Sequence, residues 1–207
     1  MKKWTYFVSL IAFICFIVLA LSYEQPILVQ FDETMNQLFF GNSFISFFHL
    51  FGETKFIMII SIILILSLWF RQRNYRGMLL VLLTVGAGNG INQLVKSLIE
   101  RPRPDMLEQL SSFSFPSGHA MMGLLYVFTI AYIISELFMS QKTSITVWSI
   151  AVILVILMGL SRIASSHHYA TDVLAGWSLG FTWFIICIYW YESRKRKINK
   201  LKIKESA

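Results

Sequence analysis

Residues 172–204 read DVLAGWSLGFTWFIICIYWYESRKRKINKLKIK, and this stretch decides the class of the molecule. Its first part, about 172–191, holds one acidic residue at its start and is otherwise almost wholly apolar. A run of about 20 such residues is what a helix needs to cross roughly 30 Å of hydrocarbon. Its second part collects Arg194, Lys195, Arg196, Lys197, Lys200, Lys202 and Lys204, the basic flank that marks a cytoplasmic end. Working outward, comparable runs recur at about 4–22, 55–70, 77–99, 119–138 and 145–162. The expected fold is all-α, an integral membrane bundle of six transmembrane helices, formed as one transmembrane domain over 1–207 with a basic cytoplasmic tail at 192–207.

Composition agrees. Hydrophobic residues make up 56% of the 207, and charged residues only 14%, against about 25% in a soluble domain. The first run follows Lys2 and Lys3, as a signal peptide would, but it is long for one and no small-x-small cleavage site follows, so it reads as a span. The net charge of +7 does not point to nucleic acid, because the basic residues gather at segment ends. Cys15 and Cys187 sit inside apolar runs with no metal-ligand spacing and read as reduced.

Six spans put both termini on one side. Lys2, Lys3, the Arg71, Arg73 and Arg76 loop and the tail all fall there, which makes that side cytoplasmic. Lys55, Lys96, Arg101, Arg103 and Arg162 fall on the outward side, where the positive-inside rule gives no reason for them. Residues 23–54 are too broken to span. Phe31, Met35, Leu38 and Phe39 follow helical spacing, and Phe44, Phe47, Phe48 and Phe51 come after Gly41-Asn42. Two readings stand: short helices lying in the outer interface between spans one and two, or helices packed against the bundle. In span three, the Gly86 and Gly90 pair reads as a close helix contact, with Asn89, Asn92 and Gln93 bonding across it.

Three outward pieces hold the ionisable residues that hydropathy leaves unexplained. The first runs from Lys96 through Glu100 to Arg101-Pro102-Arg103-Pro104. A residue before proline is driven out of the helical region, so the helix is expected to stop near Glu100 or Arg101. The second is Pro116-Ser117-Gly118-His119, at the start of span four. Serine is a favoured N-cap, the helix start offers unpaired N–H groups to an anion, and Gly118 lets a ligand approach the backbone. The third runs from Ser161-Arg162 through His167 and His168 to Asp172. His168 and Asp172 are four apart, so one helical turn would place them on one face. A carboxylate on one ring nitrogen leaves the other free as base or nucleophile. Cations, a helix N-terminus and two histidines are what phosphoryl transfer needs, since its transition state spreads negative charge over three oxygens.

These pieces resemble the three signature motifs of the type 2 phosphatidic acid phosphatase superfamily, K-x6-R-P, P-S-G-H and S-R-x5-H-x3-D, with no motif position departing. The resemblance implies a membrane lipid phosphatase that works through a phosphohistidine. It implies His168 as nucleophile, Asp172 as the residue that orients it, and His119 as proton donor to the leaving lipid oxygen. It implies Lys96, Arg103, Ser117, Gly118 and Arg162 as the phosphate-binding set, and its spacing selects His168 over His167 and Arg103 over Arg101. No cofactor and no metal are expected. The outward carboxylates Glu100, Asp105, Glu108 and Asp172 form no familiar metal pattern either. The implied partner is a lipid phosphate from the bilayer, either phosphatidylglycerol phosphate or undecaprenyl pyrophosphate, in the plasma membrane with the active site on its extracytoplasmic face. No nucleic acid and no obligatory protein partner are expected. Two other classes fit parts of the pattern. A non-catalytic transporter or binding protein for an anionic lipid would use the same cations, and an intramembrane serine protease would pair Ser117 with a histidine but leave the cations without a role.

Overall fold

The computed structural model describes residues 3–104, 112–138 and 140–205. Lys2, Asp105 and Glu108 lie outside the described residues, as do the side chains of Lys3 and of the tail from Lys197 onward. The chain forms α1 (Lys3–Ser22), α2 (Pro26–Phe39), α3 (Ser43–Phe47), α4 (His49–Gly52), α5 (Thr54–Gln72), α6 (Tyr75–Val81), a π-helical turn (Leu82–Ala87), α7 (Gly88–Ile99), α8 (Gly118–Phe138), α9 (Gln141–Ala164) and α10 (Ala170–Glu205). Taking α6, the π turn and α7 as one rod, six helices are long and apolar enough to cross a membrane.

The centre of the bundle is α8. Leu124, Leu125, Met121 and Phe128 are buried on its several faces, against α9 on one side and α10 on another. A helix apolar all round belongs in the middle of a bundle, and α8 takes that place. α1 packs along α10. Polar groups tie the spans where lipid would offer none: the Thr129 hydroxyl bonds to that of Thr84 at 2.9 Å, and Trp183 Nε1 donates to Leu83 O at 2.9 Å.

Two departures from the sequence reading, and one choice it left open, matter for the site. First, α10 does not end at 191 but runs on through the basic tail, whose Lys, Arg and Glu are strong helix formers. Second, Gly86 and Gly90 make no close helix contact: a Cβ at either meets nothing within 4 Å. The contact is at Gly88, where a Cβ would lie 2.4 Å from Leu125 Cδ1 and 3.4 Å from the Trp183 ring. Third, of the two readings of this segment, residues 26–52 take the packed one, on the end of the bundle that carries the motif residues. α2 lies on α9 and α10, α3 on α9, and α4 on α8 and α9. Phe31, Met35 and Phe39 cover Ile163, Ala170 and Val173, while Phe40, Phe44 and Phe47 are exposed. That outward aromatic face keeps the interfacial character expected of the segment.

One opening results from these packings. α5 packs on α6 at the end marked by Arg71 and Arg73, but parts from α7 toward the other end. The gap between them leads to the motif residues.

Candidate active site

The helix carrying Lys96 stops where the prolines require. α7 ends at Ile99, and Glu100 closes it in the left-handed region (φ 52°). Lys96 is buried, and its Nζ donates to the carbonyls of Phe113 and Ser114. Arg103 follows in extended chain. Its Nε and Nη2 donate to the carbonyl and hydroxyl of Ser112, at 2.7 and 2.9 Å, and its Nη1 donates to His167 O at 2.8 Å. The same Nη1 lies 3.2 Å from His168 Nε2.

Ser117 caps α8 and is fully buried. Its Oγ accepts from Ala120 N–H at 3.5 Å, and its own N–H donates to Asp172 O at 2.9 Å. The start of α8 is thus bonded to the start of α10. The two chains come so close that a Cβ at Gly176 would sit 2.7 Å from Ser117 O, so only glycine serves there. With the Ser117 and Ala120 N–H groups taken in this way, those of Gly118 and His119, which have no earlier carbonyl of the helix to pair with, are left to face an anion. His119 lies in that turn, its ring against Gly52 and its Nε2 3.7 Å from Glu53 Oε1.

Arg162 is buried near the end of α9, and its Nε has no protein partner among the described residues. Its carbonyl accepts the N–H groups of His167 and His168, at 3.0 and 3.3 Å, and so fixes the turn that carries the nucleophile candidate. His168 and Asp172 do not share a helix face as their spacing suggested, because α10 begins only at Ala170. They meet through a capping arrangement. Asp172 Oδ2 accepts Tyr169 N–H at 3.0 Å and lies 3.4 Å from His168 Nδ1. A carboxylate in the first turn of a helix is favoured by the unpaired N–H groups there. The arginine N–H aimed at Nε2 makes that nitrogen the acceptor of a neutral ring, which assigns the proton to Nδ1, on the side of Asp172, although Nδ1 makes no hydrogen bond to it at 3.4 Å. Burial, reinforced by Arg103 and Arg162, holds the His168 imidazole well below its ordinary pKa of 6.5, so the neutral form prevails. Burial also lowers the Arg103 guanidinium and the His167 ring.

Lys96, Arg103, Gly118, His119, Arg162 and His168 line one cavity of about 390 Å³. Ser117 and Asp172 do not reach it. Both are fully buried behind it, one capping α8 and the other backing His168. Ser117 Oγ has no hydrogen bond to a histidine among the described residues, as a protease nucleophile would need. Lys96, Arg103 and Arg162 have no carboxylate within 4.0 Å among the described residues. The cavity continues down the gap between α5 and the third span, past Asn89 and Gln93, to Met58, Val85 and Gly86. The shape suits an anionic head beside His168 with its apolar remainder leaving sideways.

Sequence reasoning passed over several residues here. Arg101 was set aside for Arg103, yet it is buried and ion-paired to both Asp172 and Asp32. Its place on the outward side was the available signal. Asp32, one of two adjacent acids with Glu33 between Phe31 and Met35, carried no signal that set it apart. Gly52 and Glu53 beside His119 carried no signal in their spacing.

Comparison with known proteins adds a second kind of evidence. The sequence signature of the PAP2 superfamily matches residues 77–196, more than half of the chain. Phosphatidylglycerophosphatase B of Bacillus subtilis (strain 168) is 36% identical over 148 residues, covering 70% of this chain and 72% of that protein. Decaprenylphosphoryl-5-phosphoribose phosphatase of Mycobacterium tuberculosis is 36% identical over 110 residues, covering 48% of this chain and 55% of that one. The crystal structure of a transmembrane PAP2 type phosphatidylglycerolphosphate phosphatase from Bacillus subtilis superposes with a TM-score of 0.82 at 30% identity, over 89% of this chain and 96% of that one.

Proposed function

We propose, from the premise that this chain belongs to the PAP2 superfamily and is a multi-pass membrane lipid phosphatase, that it cleaves the terminal phosphate of a lipid by way of a phosphohistidine at His168. The observation that carries the proposal is the single cavity that joins His168 and His119 to Lys96, Arg103 and Arg162 and opens sideways between two spans. In the first step, His168 Nε2 forms a bond to phosphorus while the bond from phosphorus to the lipid oxygen breaks. His119 gives that oxygen its proton. Asp172 keeps the ring in the required tautomer and balances the charge it gains. In the second step, a water gives its proton to His119 and its oxygen to phosphorus while the bond from phosphorus to His168 Nε2 breaks, which frees orthophosphate and restores the neutral ring. Lys96, Arg103, Arg162 and the first amides of α8, including that of Gly118, hold the equatorial oxygens. Ser117 contributes by fixing that helix start.

The phosphate grip is common to many lipids, so the substrate follows from the relatives. We favour phosphatidylglycerol phosphate, undecaprenyl pyrophosphate or both, with the lipid entering from the bilayer through the gap between α5 and α7. The excess of Lys and Arg at the opposite end supports cytoplasmic termini and a site on the extracytoplasmic face of the plasma membrane. The test is phosphate release by the purified protein from each of these lipids and from phosphatidic acid, with His168→Ala as control. Wild-type release by His168→Ala defeats the mechanism, and a flat response across the panel defeats the substrate assignment. Topology is tested on intact cells with a membrane-impermeant thiol reagent. A cysteine placed at Ser112 should react and one placed at Asn74 should not.

A further inference from the structure

Arg101 holds none of the three motif positions, yet it is the most heavily partnered cation at the site. It is 6% exposed, and its guanidinium carbon lies over the rings of Tyr23 and Tyr169, 4.6 and 4.0 Å from their centroids. Nη1 donates to Asp172 Oδ1 and to Thr171 Oγ1, both at 2.7 Å. Nη2 donates to Asp32 Oδ2 at 3.0 Å. Asp32, from α2, is as deeply buried. It accepts the Thr171 N–H on Oδ1 and the Thr171 hydroxyl on Oδ2, both at 2.8 Å. Both terminal nitrogens of Arg101, both carboxylate oxygens of Asp32 and the Thr171 hydroxyl and N–H have partners, the kind of pairing that makes a buried charged network rigid rather than a liability.

The geometry points to Asp32 and Arg101 as positioning residues for catalysis, acting on His168 through Asp172. This inference rests on the proposed role of His168 as nucleophile. The carboxylate torsion of an aspartate is broad and sets no orientation by itself. Arg101 takes Oδ1, and Tyr169 N–H takes Oδ2 on the side facing His168 Nδ1, so the plane of Asp172 is fixed from both oxygens. Asp32 answers a second difficulty. Arg101 alone would cancel the charge of Asp172, and with it the help Asp172 gives an imidazole that turns cationic on bonding phosphorus. With two carboxylates sharing one guanidinium, a net negative charge remains behind His168. α2, which packs on the bundle through Phe31, Met35 and Phe39, thus becomes, through Asp32, part of the working site.

The test is a double-mutant cycle between Asp32→Asn and Asp172→Asn, read as kcat and KM for release of phosphate from phosphatidylglycerol phosphate in detergent micelles. Inhibition by inorganic phosphate and a melting curve report whether the cation cluster is intact. Asp32→Asn is expected to lower kcat by about tenfold or more, within the range of couplings in a shared network, with KM and phosphate inhibition near wild type. In the Asp172→Asn background the same change is expected to have an effect of about twofold or less. Arg101→Lys keeps the charge but not the fork that bridges both carboxylates, and it should lose kcat likewise. It serves in the cycle if Asp32→Asn does not fold. Wild-type kcat in Asp32→Asn beside a depressed Asp172→Asn overturns the positioning role alone, as does an undiminished effect in the Asp172→Asn background. Wild-type kcat in Asp172→Asn removes the proposed role of the His168 pair and this inference with it.

Discussion

Gly86→Leu separates the route of the lipid from the grip on its phosphate. Gly86 lies in the π-helical turn, on the wall of the cavity, where an added Cβ meets nothing within 4 Å. The fold therefore gives it room, and exchange of a helical glycine for a side-chain residue removes an entropic penalty of roughly 0.5–1 kcal/mol. The variant should melt no lower than wild type. Its isobutyl group, however, enters the gap opposite Met58, which the leaving lipid would occupy. Forcing a chain past extra methylenes in a fitted space costs about 1–3 kcal/mol, or roughly 5- to 150-fold in kcat/KM. A short water-soluble alkyl phosphate ends before that level and should be cleaved as by wild type. The assay compares phosphate release from the long-chain and short-chain substrates by the same preparation, alongside its melting curve. Gly88→Leu, two residues on, is the contrast: its Cβ would lie 2.4 Å from Leu125 Cδ1, so it should lose stability and both activities together. If Gly86→Leu cleaves the long-chain lipid at the wild-type rate, or loses both substrates equally, the lateral route is wrong.

Other tests bear on the cavity itself. His119→Ala should lower turnover by about 10²- to 10⁴-fold, the usual share of a general acid, whereas an acid-labile phosphoryl adduct should form on wild type and be absent from His168→Ala. The attacking form of His168 is the neutral one, and burial with Arg103, Arg162, Lys96 and His167 lowers its pKa, so its acid limb in kcat/KM should lie well below pH 6.5. Arg103→Gln removes a cation that opposes protonation, so that limb should move to higher pH while KM rises. No upward movement would mean that the limb belongs to another group. Inorganic phosphate should raise the melting temperature, by the equivalent of about 2.7 kcal/mol at 100 times its dissociation constant, and this gain should shrink in Lys96→Gln.

What the sequence disclosed and what it hid divide along a physical line. Hydropathy is local, so the spans were legible one at a time, and motif residues at span ends could be ordered by chain position alone. Pairings between distant elements were not. Asp32 meets Arg101 and Thr171 only because α2 folds back onto α9 and α10, which no periodicity in 26–39 states. The glycines of the third span show the same limit. With 3.6 residues per turn, Gly86 and Gly90 share a face and Gly88 looks the opposite way. Spacing of small residues says that a helix can be approached, but not from which side. The neighbour came to Gly88, and Gly86 became part of the wall of the opening. The His168–Asp172 spacing misled in a milder way. Their contact is real, but it arises from a carboxylate folded over the first turn of α10 and not from a shared helical face.

The two arginines of Arg101-Pro102-Arg103-Pro104 show why the site is cationic where it needs to be. Both sit at the motif end of the bundle, two residues apart, and both are held by several hydrogen bonds. Arg101 bonds to carboxylates, Asp32 and Asp172, so its charge is already answered, and an arriving phosphate would have to break a buried ion pair to use it. Arg103 is held by the carbonyls of Ser112 and His167 and by the Ser112 hydroxyl, and Lys96 by the carbonyls of Phe113 and Ser114. Carbonyls orient a cation without neutralising it. Among the described residues these cations therefore keep positive charge with no carboxylate paired to it on the cavity wall, where under the proposed mechanism phosphoryl oxygens gain charge, with little to reorganise when they do. Under that mechanism the identity of the partner, carboxylate or carbonyl, decides which arginine faces the substrate and which one serves the aspartate behind His168.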